Sequence, residues 1–164
     1  MVAKGMDCPG CRAVLTERGA AELSLLRCDA CGGLWADNAV SQRVSSATLS
    51  EPARAFLLEL EREVAAAPSP GAVESAAARA CPACGDAMPE VTIPHTGVKV
   101  DVCASHGTWF DRHELVRVYQ AIEIKNVDDD EAANEFAQDL TEDRRGRAMR
   151  GSFLGRVIGL LRGS

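Results

Sequence analysis

Cys81-Pro82-Ala83-Cys84-Gly85, followed after a spacer by Cys103-Ala104-Ser105-His106-Gly107-Thr108-Trp109-Phe110-Asp111, is the stretch that decides the fold. It holds two knuckles, C-x-x-C and C-x-x-H, with eighteen residues between Cys84 and Cys103. A hairpin of that length can fold four soft or borderline donors onto one tetrahedral ion. Two intervening residues let both side chains of a tight turn point to one side. Gly85 and Gly107 relax the backbone so that its amides can face the thiolates, and Pro82 stiffens the turn. The pattern predicts a zinc ribbon with ligands Cys81, Cys84, Cys103 and His106.

The N-terminal part of the chain repeats the design. Cys8-Pro9-Gly10-Cys11 is followed, after sixteen residues, by Cys28-Asp29-Ala30-Cys31-Gly32-Gly33-Leu34-Trp35-Ala36-Asp37. The period is about seventy residues, and each copy ends in a knuckle, a glycine, a tryptophan and an aspartate. The copies are not identical: Trp35 lies four residues past Cys31, whereas Trp109 lies three past His106, so the second copy has lost one residue and has a histidine in place of its last cysteine. All seven cysteines and one of the three histidines are absorbed by the scheme. It therefore predicts two zinc ions per chain, the first held by Cys8, Cys11, Cys28 and Cys31. Two other readings compete. Disulfides would require export, yet residues 1–18 contain no apolar run of signal-peptide length and seven thiols leave one unpaired. A single iron, as C-P-x-C-G knuckles hold in rubredoxins, fits a histidine ligand poorly.

At these residues the chain resembles the bacterial TFIIB-type zinc-ribbon domain family. The second copy matches its pattern through Val100-Asp101-Val102-Cys103 and Trp109-Phe110-Asp111-Arg112-His113-Glu114-Leu115. The first copy departs from it after Asp37, where Val40 and Ser41 stand in place of the family's Glu-Leu. The resemblance, in two tandem copies, implies a ribbon fold, a zinc ion and a broad link to ribbon domains of transcription machinery. It implies no biochemical activity.

Composition agrees with a small soluble protein of one domain or two, with 164 residues of which 46% are hydrophobic. A ribbon of about 35 residues buries too little surface to stand alone, so each structural metal must supply roughly 10–16 kcal/mol. Neither a spanning helix nor an export signal is expected, which makes a reducing cytoplasm the default compartment. The formal net charge is −6. Seven thiolates and two dications add three further negative charges, giving about −9. Residues 6–40 and 79–115 each carry three Lys/Arg against five Asp/Glu. Neither offers the basic stripe that duplex binding needs, so nucleic acid is not expected to bind through the ribbons.

The expected fold class is small, metal-stabilised α+β: two zinc-ribbon β-hairpin modules, each followed by helix, and a helical C-terminal tail. In domain terms, ribbon 1 spans residues 1–46, an amphipathic helix 47–66, a linker 67–80, ribbon 2 with its helix 81–125, and an acidic-then-basic tail 126–164. In ribbon 1, residues 23–27 read as the strand delivering Cys28, with residues 14–16 as its partner across a turn at 17–19. Trp35 reads as a cover for the metal hairpin, and Asp37 as the N-cap of a short helix over residues 38–46. Ser50-Glu51-Pro52 starts a second helix whose face carries Phe56, Leu57, Leu60 and Val64. That face reads as a cover on ribbon 1 or as a docking surface.

In ribbon 2, residues 91–93 and 98–102 form a hairpin around Pro94-His95-Thr96-Gly97, with Val98, Val100 and Val102 on one face. Asp111 and Glu114 have capping-box spacing for a helix over residues 112–125. His95 and His113 read as solvated surface residues. Closed four-donor sites leave no open metal position, and no catalytic triplet, phosphate loop or spare cysteine remains, so no enzyme is expected.

The tail runs from an acidic stretch, 128–143, into residues 144–164, which hold six arginines and no acid. Ala132, Ala133, Phe136, Ala137 and Leu140 recur at helical spacing, predicting a helix over residues 129–148. Beyond it, Phe153, Leu154, Val157, Ile158 and Leu161 form a candidate partner-binding stripe beside glycines at every fourth position. A frayed end, a protein-docking segment and, through residues 150–164, a membrane-surface segment are all open readings. The expected function is a non-enzymatic, protein-binding or regulatory zinc module. The alternatives are a nucleic-acid-binding transcription regulator acting through the ribbons, which the resemblance suggests and their charge opposes, and a redox- or zinc-responsive sensor; the Arg-rich tail is a separate candidate contact for nucleic acid.

Overall fold

The computed structural model describes residues 5–68 and 78–131. Leucines on alternate positions make β2 (Leu23–Arg27) a strand with one face turned inward, Leu23 and Leu25 being buried. It pairs antiparallel with β1 (Thr16–Ala20), Thr16 opposite Arg27 and Ala20 opposite Leu23. The turn therefore falls at residues 21–22, with Ala21 at φ 52°, and not at residues 17–19 as the sequence suggested. Gly19 lies inside the strand, and its missing side chain serves packing: a Cβ there would stand 2.8 Å from the Leu23 carbonyl oxygen.

The chain continues through β3 (Leu34–Asp37), α1 (Asn38–Ser45), α2 (Glu51–Ala66), β4 (Glu90–Thr92), β5 (Lys99–Cys103) and β6 (Gly107–Phe110). The six strands form one antiparallel sheet in the order β1-β2-β3-β6-β5-β4. This corrects the expectation of two separate modules. β3 and β6, neither of which the sequence marked as a strand, pair at the centre and join the two hairpins, and residues up to Ile124 form one compact unit. The joint is close to two-fold symmetric. Trp35 faces Trp109, its counterpart in the repeat, while Leu34 pairs with Phe110 and Ala36 with Thr108. The two hairpins thus meet at β3–β6 much as the halves of an isologous dimer do.

The sheet's two faces carry two clusters. Leu25, Leu34, Ala36, Val100 and Phe110 meet the helices on one face. Trp35, Trp109, Met88 and cysteines from both knuckle sets gather on the other. Asp37 caps α1, its Oδ1 accepting from the Val40 amide at 2.8 Å. Ser50 caps α2 and is itself held by Glu22, which accepts from the Ser50 amide at 2.6 Å and its hydroxyl at 2.7 Å. Along α2, Ala53, Leu57, Leu60 and Val64 are buried in the core, with Phe56 half-buried beside them. The apolar face of α2 is a cover.

The polar flank of α2 makes specific contacts as well. Glu63 accepts from Arg18 at 2.8 Å and from Arg27 at 2.6 Å, both from ribbon 1. Arg112 of ribbon 2 donates to the carbonyls of Val64, Ala67 (2.7 Å) and Pro68 (3.0 Å), putting a cation on the negative end of the helix. His113, expected as a solvated residue, instead bridges Glu61 and Arg112. His95 is an exposed turn residue, as expected.

A third helix, α3, starts at residue 114, two residues later than the capping-box reading placed it. The left-handed His113 (φ 70°) excludes an earlier start. Glu114 does reach back to accept from the Asp111 amide at 2.7 Å, but the Asp111 carboxylate is occupied elsewhere. A second unit begins at Lys125, and its residues 125–131 are helical. The rest of the tail, including Phe153, Leu154, Val157, Ile158 and Leu161, and most of the linker lie outside the described residues.

Candidate metal centres

Three of the four knuckles are built alike. The first cysteine's amide donates to the carbonyl five residues on, and its own carbonyl accepts from the amide four residues on. The pairs are Cys8 with Ala13 and Arg12, Cys28 with Gly33 and Gly32, and Cys81 with Asp86 and Gly85. The residue four along must be left-handed, and Arg12, Gly32 and Gly85 have φ of 67°, 79° and 82°. Glycine suits that position; Arg12 takes it at a conformational cost. The fourth knuckle is tighter: the His106 amide donates to the Cys103 carbonyl at 3.2 Å, and Cys103 pairs with Gly107 across the β5–β6 turn. It runs directly into β6, which explains the residue missing between His106 and Trp109.

The knuckles converge in pairs. Cys8, Cys11, Cys28 and Cys31 form one group and Cys81, Cys84, Cys103 and His106 another, with the donor atoms of each group within 4.8 Å of one another. None of the seven cysteines is in a disulfide. A tetrahedron of sulfurs about 2.3 Å from a zinc ion has edges of about 3.8 Å, and an imidazole nitrogen shortens its edges to about 3.6 Å. The measured edges fit. Cys8 Sγ to Cys31 Sγ is 3.6 Å and Cys11 Sγ to Cys28 Sγ is 3.4 Å. In the second group, Cys84 Sγ to Cys103 Sγ is 3.9 Å, and His106 Nδ1 lies 3.4 Å from Cys103 Sγ and 3.9 Å from Cys81 Sγ. Both groups could hold zinc, and in the second the histidine would ligate through Nδ1.

Backbone amides support the first group: Gly10 N and Cys11 N donate to Cys8 Sγ at 3.3 and 3.4 Å. Crowding four thiols sets them against one another. Contact with Cys31 lowers the Cys8 thiol to about 5, and the same contact pushes Cys31 far up. A dication placed between them stabilises all four as thiolates.

The tryptophans connect the two centres. Trp109 has no exposed surface and Trp35 is 5% exposed; they share one cluster with Cys8, Cys28, Cys81 and Cys103. Two glycines admit the arrangement. A Cβ on Gly33 would lie 2.2 Å from the Trp109 ring, and one on Gly107 would lie 2.1 Å from the Ala36 carbonyl oxygen across the β3–β6 joint. Trp109 Nε1 donates to Asp111 Oδ1 at 3.1 Å, and Asp111 Oδ2 accepts from Arg79 at 2.9 Å. Arg79 also reaches Asp101 at 2.8 Å. Nothing in the sequence marked Arg79 beyond its place two residues before Cys81.

Asp101, Asp111, Glu114 and Arg79 line a cleft of about 500 Å³ beside ribbon 2. Burial pushes the Glu114 carboxyl up to about 7, the Asp111 amide opposing the shift and the Asp111 charge adding to it. The folded chain thus holds this proton more tightly than the unfolded one does. The stabilisation is present in acid and is lost as pH rises from about 4.3 through about 7. Glu114→Gln, which mimics the neutral acid, is expected to gain stability relative to wild type across that window. Urea midpoints of both proteins in excess zinc at pH 5.5 and 7.5 check this, with zinc-ligand protonation common to the two. A gap that does not change with pH would refute it.

Residues 80–121 match the zinc-ribbon family described as a transcription factor zinc-finger. The match covers ribbon 2 and leaves the Cys8–Cys31 cluster outside it. No curated protein and no solved structure matches the chain.

Proposed function

We propose that this protein is a non-enzymatic, two-zinc module that acts by presenting protein-binding surfaces, and that residues 8–37 are a second, diverged copy of the ribbon matched at residues 80–121. The observation that carries the reading is the closure of both centres. Each gathers four protein donors at tetrahedral spacing, so zinc is held for structure with no position left for water or substrate. The near-symmetric pairing of Trp35 with Trp109 supports the duplication. Thiolate ligands suit a reducing compartment, and among the described residues no helix is long and apolar enough to cross a membrane.

Charge favours protein over nucleic acid as the partner. Of the six basic residues in the two ribbons, Arg18, Arg27, Arg79, Lys99 and Arg112 are engaged by carboxylates or carbonyls of the same chain. Engaged cations on an acidic surface give phosphate little to bind. The arginines after residue 143 are the place for docking to a protein, or to an anionic lipid surface. The test is a salt titration of the full chain against duplex DNA, beside the chain lacking residues 144–164. Binding is expected to be weak, sequence-indifferent and lost with the tail. Tight, sequence-selective binding that survives truncation would replace this reading with that of a nucleic-acid-binding regulator.

A further inference from the structure

The two centres are not equally protected. In the first, Cys8 and Cys28 have no exposed surface, and Cys11 and Cys31 are half-buried. In the second, Cys84 and His106 are both exposed. The second also has three thiolates in place of four, and its Cys103/His106 knuckle is one residue shorter than the others. Asp86 Oδ2, 3.4 Å from Cys84 Sγ, gives that thiol an alternative partner to a metal. Access and thiolate character decide which zinc-bound sulfur an oxidant reaches first.

We propose that ribbon 2 is an oxidant-sensitive zinc switch, in which a peroxide attacks through Cys84 and the metal leaves as a Cys84–Cys103 disulfide forms. The proposal rests on the reading that ribbon 2 holds zinc. The Cys84 thiolate attacks one peroxide oxygen, breaking the O–O bond to give a sulfenic acid and hydroxide. The Cys103 thiolate, 3.9 Å away, then attacks the Cys84 sulfur, forming the S–S bond and expelling a second hydroxide. In sum, two thiolates, one peroxide and two protons give one disulfide and two waters, and the peroxide is the external oxidant. A zinc ion held by Cys81, Cys84, Cys103 and His106 would be left with two of its four ligands and would be released.

What the switch exposes follows from the packing. Cys81 and Cys103 are packed in the cluster that holds Trp109, Trp35 and Met88, three side chains with 5% exposure or less. The Cys84–Cys103 bond keeps the knuckle tied to the end of β5, while loss of the metal releases Cys81 and His106 and loosens the packing that Cys81 makes on this apolar surface. The surface loosened is aromatic, the type that engages protein partners.

The experiment uses the full chain loaded with zinc and counted by elemental analysis, then given less than one equivalent of hydrogen peroxide. Samples quenched early by alkylation are mapped by mass spectrometry, with zinc release followed by a chromophoric indicator and tryptophan emission recorded. The first disulfide is expected between Cys84 and Cys103, with about one zinc released per disulfide and site 1 thiols still intact at that stage. Emission should shift to the red with the same time course. A first disulfide among Cys8, Cys11, Cys28 and Cys31, or release of zinc with Cys84 still reduced, overturns the proposal alone. A chain whose ribbon 2 carries no zinc at the outset overturns the zinc reading and this proposal with it.

Discussion

A strong zinc chelator is expected to abolish the structure of both halves of the sheet in a single equilibrium transition, with no state in which ribbon 1 survives alone. Separate modules would melt in two steps. Here the halves share the β3–β6 joint, one Trp-centred cluster and α2, which takes Arg18 and Arg27 from one ribbon and Arg112 and His113 from the other. The magnitudes point the same way. A structural zinc supplies roughly 10–16 kcal/mol, comparable to or above the 5–15 kcal/mol that a whole domain typically has in hand. Losing one metal outright, with no disulfide in its place, therefore weakens the residues that depend on the other. Far-UV circular dichroism and tryptophan emission should give coincident curves against chelator. Cys103→Ala should release zinc from the untouched Cys8–Cys31 centre at a chelator concentration that the wild type withstands. If that centre holds its metal as before, the joint does not couple the sites.

That coupling was the part of the molecule least legible in the sequence. The two donor groups were readable because C-x-x-C/H spacing is a local property of one turn. So were β2, β5 and the two capped helices, where leucine or valine alternation and the Asp37 and Ser50 caps act within a few residues. β3 and β6 were not, because Leu34 to Ala36 and all of Gly107 to Phe110 are buried with side chains on both faces of the sheet. A strand covered on both sides has no alternation to detect. Their pairing spans more than seventy positions of chain, and no local signal specifies a contact at that separation. Gly19 misled for a related reason: it looked like a turn, whereas its use is to let β1 lie close to the Leu23 carbonyl. Likewise His113 and Arg112 were read from their own segment, while their partners lie on α2.

Trp109→Ala is expected to cost about 3–5 kcal/mol, the range for emptying a fully buried large aromatic site. The loss includes the ring's place over Gly33 and its hydrogen bond to Asp111, so Arg79 and Asp111 would also lose their link to the metal face. Gly33→Ala supplies the matching test from the other side of the contact. Its new methyl would stand 2.2 Å from the Trp109 ring, which overpacks the cluster and is expected to cost about 1–3 kcal/mol by itself. With Trp109 already reduced to alanine, that methyl meets a cavity and its cost should vanish or reverse. The two substitutions should therefore be strongly non-additive, with a coupling energy of about 0.5–3 kcal/mol from a double-mutant cycle in denaturant at fixed excess zinc. Trp35 becomes the sole reporter in the Trp109 variants, and its red-shifted emission would register the loss of cover across the joint. Additive costs would mean that Gly33 is constrained by its own backbone and that the Trp109 ring does not bear on it. The close approach of the two halves would then have to be held by the Leu34–Phe110 pairing on the helix-covered face of the sheet.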